Sequence, residues 1–397
     1  MAPWHEVMTD VIIVGGGIAG SALAILLSRQ GLEVELYERS SFPREKVCGE
    51  GLMPAGVAVL ERLRVSVSGA PFQSVHYHFG ARECAVGRFP VVGGLPTTGL
   101  GIRRKHLDAA LFRRACGRRW VCGACGLGVE RPLVEGGCVT GVIAGGKARR
   151  SRLVVAADGL HSTMRTQLGL NVARRPERFG VRAHFRLAAG APVANWVDVY
   201  LGAGHELYVT PLPGGELLVA LLAESEWRRK PARMALQEAI GSHPDLAARL
   251  EGAEQISELA GAAPLGGGAR ARALPGLVLL GDAAGFVDPI TGGGMTQALL
   301  SAELLAEHLG QQFPPSLAAL QRFDRERERM LRDYRWLTRV MLGLARRPRM
   351  AAGVLRVLSA SPGVFSHLVG VSAGMRRLLP RPWWQDAGTG WARPSAA

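Results

Sequence analysis

The sequence predicts an α/β protein in which a Rossmann-like domain carries an inserted antiparallel-sheet domain and is followed by C-terminal helices. Three patterns predict this arrangement. Residues 10–38 read as strand, glycine-rich turn, helix and strand, whereas residues 176–271 alternate apolar and polar positions. Residues 316–347 repeat apolar positions at helical spacing with a charged outer face. Alternation is typical of a sheet with one buried face, and the helical period is typical of an amphipathic helix.

Composition indicates a globular chain of more than one domain. The 397 residues are 48% hydrophobic and 20% charged, and the net charge is +15. The basic residues are mostly arginines in scattered pairs, without a basic arm or an aromatic-interleaved stripe, so nucleic acid is not a predicted partner. Attraction to an anionic membrane surface or to an acidic ligand fits the charge better.

No signal peptide, membrane span or metal site is predicted. The start, "MAPWHEVMTD", lacks the basic and apolar regions of a signal peptide. The longest uncharged stretch, Val357–Met375, contains "SASPG" and reads as two short packed helices. Six cysteines show no framework spacing, and Cys122 and Cys125 form an isolated C-x-x-C. A cytoplasmic protein is expected, with peripheral contact at the inner face of the membrane as a hypothesis.

The first strand and helix carry a dinucleotide-binding pattern. "DVIIV" is followed by "GGGIAG", a helical segment, and "EVELYE". The first glycine permits a tight turn, the second lets the backbone approach a pyrophosphate, and the third lets helix and strand pack closely. An acid at the end of the next strand is placed to hold ribose hydroxyls. The predicted cofactor-binding residues of this segment are Gly15, Gly17, Ala19, Gly20, Glu38 and Arg39.

A second segment, "GDAAGFVDPITGGGM", follows the late strand "LPGLVLL" and precedes a helix. Ligands of doubly wound sheets bind at the carboxyl ends of strands, where an acid can bond polyol hydroxyls and a helix start can stabilise an anion. The predicted contacts are Gly281, Asp282, Pro289, Gly292, Gly293, Gly294 and Met295. The first segment is thus predicted to bind the ADP part of a cofactor, and the second segment its ribityl chain and flavin ring. This combination indicates FAD and not NAD.

With these motifs the sequence resembles the flavoprotein superfamily of FAD-dependent monooxygenases and geranylgeranyl reductases, which has the para-hydroxybenzoate hydroxylase fold. "VVAADGLHSTMR" is similar to the superfamily's middle D-G motif, with Asp158 and Gly159 as implied cofactor contacts. "GIRRKHLDAAL" is a weaker match in which Arg104 corresponds to an arginine that touches the cofactor. The resemblance covers roughly residues 8–330 and implies a GR2-type FAD-binding domain.

The expected FAD-binding domain is discontinuous and comprises residues 1–68, 101–175 and 272–325. Residues 69–100 and 176–271 are expected to form the sheet domain, which in this superfamily covers the flavin and forms the substrate pocket. Residues 326–397 form a helical region that ends in the loose tail "QDAGTGWARPSAA".

Motifs that are missing from the sequence narrow the chemistry. A second G-x-G-x-x-G between strand and helix, a redox-active disulfide pair and the Trp-x-Trp of flavin halogenases are missing. Two enzyme readings remain: a single-component monooxygenase that uses O2 with NADH or NADPH as a transient reductant, and an alkene-saturating reductase. "KVCGEGLMP" resembles the Cys-Gly motif of the reductases, but Gly293 stands where they usually carry Glu, and "ELYVTPLPGG" is closer to the hydroxylases. A non-catalytic prenyl-binding escort protein is a third reading.

The leading prediction is hydroxylation or epoxidation of a lipophilic aromatic or prenylated small molecule, quinone-, quinolone- or polyketide-like, in secondary metabolism. The runner-up is saturation of isoprenoid double bonds. Cys48, Tyr208 and His205 are the candidate catalytic residues, although an ordinary sheet position is the more common role for a histidine such as His205, and Cys48 could equally be a small packing residue. Alternation places Tyr208 and Thr210 on one face of their strand and His205 on the other. The oligomeric state is left open.

Overall fold

The computed structural model describes residues 8–79, 82–172 and 178–379. The strands are β1 (Thr9–Val14), β2 (Val34–Glu38), β3 (Gly51–Leu52), β4 (Ala70–Phe72), β5 (Ser74–Phe79), β6 (Arg82–Arg88), β7 (Gly99–Gly101), β8 (Val121–Cys125), β9 (Val129–Glu135), β10 (Cys138–Ala144), β11 (Lys147–Ala156), β12 (Arg178–Arg186), β13 (Trp196–Gly202), β14 (His205–Leu212), β15 (Glu216–Glu224), β16 (Glu254–Gln255), β17 (Ala260–Ala262), β18 (Ala273–Leu274) and β19 (Leu277–Leu279). The helices are α1 (Ile18–Arg29), α2 (Pro54–Leu63), α3 (Arg104–Cys116), α4 (Thr163–Gln167), α5 (Ala232–Gly241), α6 (Pro244–Arg249), α7 (Gly294–Gln311), α8 (Leu317–Ala345), α9 (Pro348–Ser359) and α10 (Pro362–Ser372).

The first sheet is the predicted Rossmann-like sheet. Its strands β19, β11, β1, β2 and β8 lie side by side and run parallel, and the antiparallel strands β9 and β10 extend it beyond β11. Alternate residues of β1 enter two different cores: Val11 and Ile13 pack with α1, α3 and α7, while Ile12 and Val14 pack under β10 and α4. Burial on both faces explains why this strand is an unbroken apolar run.

The second sheet is built from both excursions out of the Rossmann-like domain. Its order is β16-β12-β15-β14-β13-β5-β6, with β17 also paired to β12. The pairing is antiparallel as predicted, except that β13 and β5 are parallel. That pair joins two segments far apart in the chain, so no hairpin fixed its direction and sequence alternation alone could not reveal it.

Each face of the second sheet has its own core. One face carries Val199, Tyr208 and Ala220 and packs against Phe365 and Val369 of α10. The opposite face packs beneath α5 and α6, with a separate set of buried side chains that includes Leu207, Val209, Val219, Leu236 and Leu246.

A small sheet of β3, β7 and β4 joins the two larger ones. The expected domain boundaries near residues 68 and 101 fall at this sheet, and the expected boundary after residue 325 falls within α8. We retain the three-part division as a proposal, with α8 shared between the cofactor domain and the C-terminal helices. The expected tail at residues 385–397 lies outside the described residues.

Within the described residues, no single helix is long and apolar enough to cross a membrane. The pair Arg349–Ser359 and Pro362–Ser372 meets the length and composition criteria only together, and the two helices are bent by 110°.

Candidate functional site

A cavity of about 590 Å³ lies between the two large sheets. Residues that follow the carboxyl ends of parallel strands line it: Gly15 after β1, Ala157 and Asp158 after β11, and Gly281 and Asp282 after β19. This is the edge at which doubly wound sheets bind their ligands.

The glycine-rich segment after β1 leaves no room for a side chain at Gly15 or at Gly20. Gly15 has a φ of +107°, and a Cβ there would lie 2.4 Å from the carbonyl oxygen of Ala157. A Cβ on Gly20 would lie 2.0 Å from the carbonyl oxygen of Gly15. Gly15, Gly17 and Ala19 line the cavity, whereas Gly20 lies outside its wall and serves close helix–strand packing.

Glu38 lies in the cavity wall at the end of β2 and is only 6% exposed. Its carboxylate accepts hydrogen bonds from the backbone N–H of Gly16 at 3.1 Å and of Ser40 at 3.0 Å. Arg44 pairs with it at 3.3 Å. These donors fix the acid beside the glycine turn, and Arg39, the next residue, also lines the cavity.

Arg165 joins the middle motif to the late motif. Its guanidinium donates to the carbonyl oxygens of Leu160 at 2.6 Å, Ala283 at 3.0 Å and Asp282 at 3.3 Å. It is 5% exposed, and its backbone N–H is capped by Ser162 at 3.0 Å. Arg165 is the last residue of the middle motif, but the sequence did not predict it as a site residue. A sequence does not show which carbonyl groups an arginine will contact.

Two carboxylates face the cavity with unused acceptor capacity. Asp158 accepts from the N–H of Met164 through Oδ2 at 3.1 Å, but its buried Oδ1 has no partner. Burial raises the pKa of Asp158. Among the described residues, the Asp282 side chain makes no hydrogen bond, although it lines the same cavity. The buried Oδ1 of Asp158 needs a donor, and the hydroxyl and N–H groups of FAD would supply donors to both carboxylates, so the residues fit this cofactor.

The start of α7 is open towards the cavity. Gly292 adopts a left-handed conformation with a φ of +69°, and Gly292, Gly294 and Met295 line the wall together with Pro289. Gly293 is turned away, because a Cβ there would lie 2.6 Å from Cε2 of Tyr334 and 2.8 Å from the carbonyl oxygen of Ser372. The first N–H groups of α7 and its positive dipole end suit an anionic group in the cavity.

Arg104 is a buried cation in the wall, 5% exposed. It binds Asp108 through two hydrogen bonds of 2.9 and 2.8 Å, and Arg44 contacts the same carboxylate at 3.0 Å. Burial disfavours the charged form of Arg104, but Asp108 and Cys48 outweigh it and raise the pKa of the guanidinium. Nearby Lys46 also lines the cavity, and burial lowers its pKa.

The loop that carries Cys48 is held by both domains. Cys48 lies in the cavity wall, and its Sγ accepts from the N–H of Glu50 at 3.4 Å. Glu50 has a φ of +55° and is fully buried. Its carboxylate accepts from the N–H of Arg104 at 2.9 Å and contacts Nε2 of His184 at 2.8 Å. Thr210 donates to the carbonyl of Gly49 at 2.8 Å. A strained glutamate with this many partners fixes the position of the cysteine.

The contact with Arg182 determines which ring nitrogen of His184 carries the proton. Its guanidinium, which can only donate, lies 3.0 Å from Nδ1 of His184. Nδ1 must therefore accept, which leaves the proton on Nε2, facing Glu50. Nε2 is thus the donor of the hydrogen bond to Glu50. Neither Glu50 nor this pairing was predicted, since residues separated by more than a hundred positions meet here.

The structure places the other two catalytic candidates on opposite faces of β14. Tyr208 lines the cavity, and its hydroxyl donates to the carbonyl oxygen of Ile290, so it supports the flavin-motif loop. His205 lies on the far face, against Trp227 with ring centroids 4.5 Å apart, and it is absent from the cavity wall. Strand alternation separates the two residues, and His205 is withdrawn as a catalytic candidate.

A buried charged cluster lies behind the wall. Arg178, 5% exposed, pairs with Glu206 of β14 and with Asp288 at 2.8 Å. Asp288 in turn accepts from the N–H of Ile290 at 3.0 Å. Burial raises the pKa of Glu206 to about 7, against the opposing effect of Arg178. The cluster links the second sheet to the loop before α7, so its charge state bears on the cavity shape.

The fold and the site together define an FAD-binding oxidoreductase with a Rossmann-like domain. Residues 139–333 match the model of an FAD binding domain, and residues 13–44 match that of an NAD(P)-binding Rossmann-like domain. The chain is 30% identical to menaquinone reductase of Mycolicibacterium smegmatis over 75% of both chains. It is 31% identical to 6-methylpretetramide 4-monooxygenase of Streptomyces rimosus over 94% of both chains. The chain therefore belongs to the flavoprotein superfamily of FAD-dependent monooxygenases and geranylgeranyl reductases.

A solved structure supports the fold. The geranylgeranyl bacteriochlorophyll reductase-like protein of Thermoplasma acidophilum superposes with a TM-score of 0.71 over 91% of both chains at 21% identity. At this identity the likeness concerns the fold alone.

Proposed function

We propose that this chain is an FAD-dependent monooxygenase that takes electrons from NADH or NADPH and inserts oxygen into a lipophilic aromatic or prenylated small molecule. The observation that carries the proposal is the closure of position 293, where Tyr334 and the Ser372 carbonyl leave no space for a side chain. The reductases usually carry a glutamate at this position of the motif. Here the residue is glycine, and Tyr334 of α8 and Ser372 of α10 occupy the space in which a side chain would lie. A polyketide-like substrate in cytoplasmic secondary metabolism fits this reading.

Similarity over the whole length supports oxygenation as well. The match to the 6-methylpretetramide monooxygenase covers 94% of this chain, whereas the match to menaquinone reductase covers 75%. The similarity to the monooxygenase therefore extends over nearly the whole chain. A lipophilic polycyclic substrate is the class that this relative's name suggests.

The cavity walls indicate what the protein's own residues contribute. Gly15, Glu38, Asp158 and Asp282 would hold FAD, and the start of α7 would stabilise negative charge on its ring. When bound, FAD would supply the electron transfer from NAD(P)H to O2 and substrate. The remaining wall is mainly apolar and includes Val75, Tyr77, Val197, Val199, Ala220, Leu222, Leu331 and Val369. These side chains exclude water and orient an apolar substrate by its shape.

Alkene reduction is the second candidate, and Cys48 favours it. Its thiol lies in the cavity wall on a loop that Glu50, His184 and Thr210 hold in place. Such fixation suits a group that must meet a substrate at one position. The same geometry is compatible with a purely structural cysteine. The products of turnover therefore have to distinguish a reductase from a monooxygenase.

Turnover with labelled oxygen tests the proposal. Candidate lipophilic aromatics would be screened for stimulation of NADH or NADPH oxidation, and the products analysed by mass spectrometry. We expect the label of ¹⁸O₂ in the product and no turnover under anaerobic conditions. Anaerobic turnover with NAD(P)H that yields a saturated product would overturn the proposal in favour of the reductase. A colourless purified protein that does not bind added FAD would instead support the escort-protein reading.

Cys48→Ala provides a matched variant. A monooxygenase should keep FAD and most of its activity with this change, whereas a reductase that uses the thiol should keep FAD and lose turnover. Thr210→Val, which removes the hydrogen bond to Gly49, controls for a mere shift of the loop.

A further inference from the structure

The C-terminal helices expose large apolar side chains on the outside of the molecule. Met350 and Val357 of α9 are 53% and 65% exposed, and Val364 of α10 is 55% exposed. Trp336 and Val340 near the end of α8 are 47% and 37% exposed. The three helices pack against one another, and we call these five exposed residues the C-terminal face. Single exposed apolar residues are ordinary, but several on helices that pack together suggest an interaction surface.

The pattern on α9 shows that this exposure follows the helix geometry. Met350 and Val357 are separated by two turns, so they lie on one side of the helix. Ala351 and Leu355 lie on the inner side and are 2% and 3% exposed, and Leu355 belongs to the core of the second sheet. The helix thus carries apolar side chains on its outer side as well as on its inner side.

The charged residues of the segment that carries this face have one sign, although Arg346 pairs with Glu224 from the second sheet at 3.0 Å. Residues 336–379 contain seven arginines and neither aspartate nor glutamate. Arg349 and Arg356 are exposed and each immediately precedes one of the exposed apolar residues of α9. Apolar groups bordered by arginine fit a surface that is apolar inside and anionic outside.

We propose that the C-terminal face docks this protein onto an anionic lipid bilayer as a peripheral contact. The 110° bend between α9 and α10 makes a corner at which Pro362, Gly363 and Val364 are exposed. A corner of this kind can enter the headgroup region while its flanking arginines contact lipid phosphates. Because this docking does not require α9 and α10 to cross the bilayer, both helices keep their contacts with the second sheet.

The inner side of the same helices reaches the cavity. Val369 and Ser372 of α10 line the cavity that also contains the flavin motifs. If the substrate is lipophilic, which rests on the proposed function, docking would bring the cavity wall close to the phase in which that substrate dissolves. This favours a bilayer over an acidic protein as the occupant of the face.

Vesicle flotation tests the docking without any measurement of turnover. FAD-loaded full-length protein would be mixed with vesicles of equal parts phosphatidylcholine and phosphatidylglycerol, or of phosphatidylcholine alone, and centrifuged through a density gradient. We expect flotation with the anionic vesicles at low salt and its loss at high salt, where charges are screened within about 3 Å at 1 M. Failure to float with anionic vesicles at low salt would overturn the docking proposal and leave the proposed reaction untouched.

Paired variants assign the binding to this face. The double change Arg349→Gln and Arg356→Gln should weaken partitioning roughly 30-fold, since each basic residue near an anionic surface contributes about a factor of five. Arg228→Gln with Arg229→Gln removes the same charge from an exposed site elsewhere and should have little effect. Val357→Asp should weaken binding roughly 10-fold or more, whereas Met234→Asp, at a residue that is 58% exposed on α5, should not.

Three other outcomes count against the proposal. Equal losses from the control variants would show that net charge alone attracts the vesicles. A lipid-free dimer that Val357→Asp converts to a monomer, with flotation unchanged, would show that a second copy covers the face. Unchanged flotation of every C-terminal variant would place the lipid contact on another surface or on residues 380–397.

Discussion

At the scale of single residues, the site combines acids that the protein leaves partly without partners and acids that it already binds. Asp158 keeps a buried oxygen without a partner, and Asp282 lines the cavity. Glu38, by contrast, is already bound by two backbone N–H groups and an arginine. The two kinds of acid should respond differently to mutation. Asp158 and Asp282 are free to accept hydrogen bonds from a ligand, whereas Glu38 also stabilises the glycine-rich turn.

Glu38→Ala should weaken FAD binding by about 1–3 kcal/mol. The change removes the predicted acceptor for the ribose hydroxyls and frees the N–H of Gly16, so both binding and the shape of the turn should suffer. Fluorescence titration of the apoprotein with FAD would measure the affinity. Glu33→Ala, at an exposed acid just before the same strand, should bind FAD as the wild type does. Wild-type affinity in Glu38→Ala would refute the assigned role.

Glu206 should make stability depend on pH around neutrality. Burial raises its pKa from 4.5 to about 7, so the folded state binds a proton that the unfolded state has released. Its contribution is fully present below pH 4.5 and is lost as the pH rises through about 7. Glu206→Gln mimics the protonated acid at every pH. Relative to this variant, the wild type should lose about 1–3 kcal/mol of unfolding free energy between pH 5 and 8.

Denaturant titration at several pH values would measure that difference. The outcome has two distinguishable signs, because Arg178 acts on the same carboxylate in the opposite direction. If the arginine dominated, the wild type would gain stability over the variant as the pH rises, and the raised pKa would be wrong. Glu61→Gln, at an exposed acid on α2, corrects for the general effect of removing a negative charge.

Some of these residues could be read from the sequence and others could not. The glycine turn and the acid after β2 are predictable because their spacing is fixed within a single βαβ unit. The separation of Tyr208 from His205 follows from strand alternation. Glu50 and His184 meet only because β12 comes to lie against the loop after β2, and no local pattern encodes that approach.

At the scale of secondary structure elements, the start of α7 is the point on which the proposed chemistry depends. Gly293 and Gly294 are neighbours in sequence but not in environment, since Tyr334 of α8 covers the first and nothing lies within 4 Å of a Cβ on the second. The run of three glycines was predicted to serve the cofactor. In the structure, one of the three instead makes room for the packing of α8.

Gly293→Ala should therefore destabilise the protein by about 1–3 kcal/mol, because the added methyl group overpacks against Tyr334 and the Ser372 carbonyl. Gly294→Ala should be neutral or stabilising by up to about 1 kcal/mol, since alanine is favoured in a helix. Urea unfolding of the FAD-free variants would compare the two. Equal stability of both variants would show that α8 does not close this position and would remove the main support for oxygenation.

The arrangement of elements was predictable where connections are short. The first βαβ unit, the hairpin of β14 and β15 and the long helix α8 all follow from local periodicity. The parallel pairing of β5 with β13 was not predictable, because it depends on how two distant excursions meet. The same holds for the continuation of α8 past residue 325, where the sequence predicted the cofactor domain to end.

At the scale of the whole molecule, the cavity is assembled from segments distributed over most of the chain. Gly15 and Glu38 come from its beginning, Asp158 from its middle, and Asp282 and Gly294 from its last third. A ligand that contacts all of them would tie these segments together. Binding to the folded state alone stabilises a protein by about 4 kcal/mol at a thousandfold excess over the dissociation constant.

The extent of that stabilisation should depend on how much of the cavity a ligand reaches. ADP should occupy the end formed by Gly15 and Glu38, whereas FAD should also reach Asp282, so FAD should raise the melting temperature of the apoprotein further than ADP does. Asp282→Ala should lower the shift caused by FAD, by about 1–3 kcal/mol of binding free energy, and leave the shift caused by ADP unchanged. Glu38→Ala should lower both shifts. Differential scanning fluorimetry over a range of ligand concentrations would measure all of these. An equal loss of the ADP and FAD shifts in Asp282→Ala would mean that this acid supports the fold of the whole cavity and does not hold the ribityl end of the cofactor.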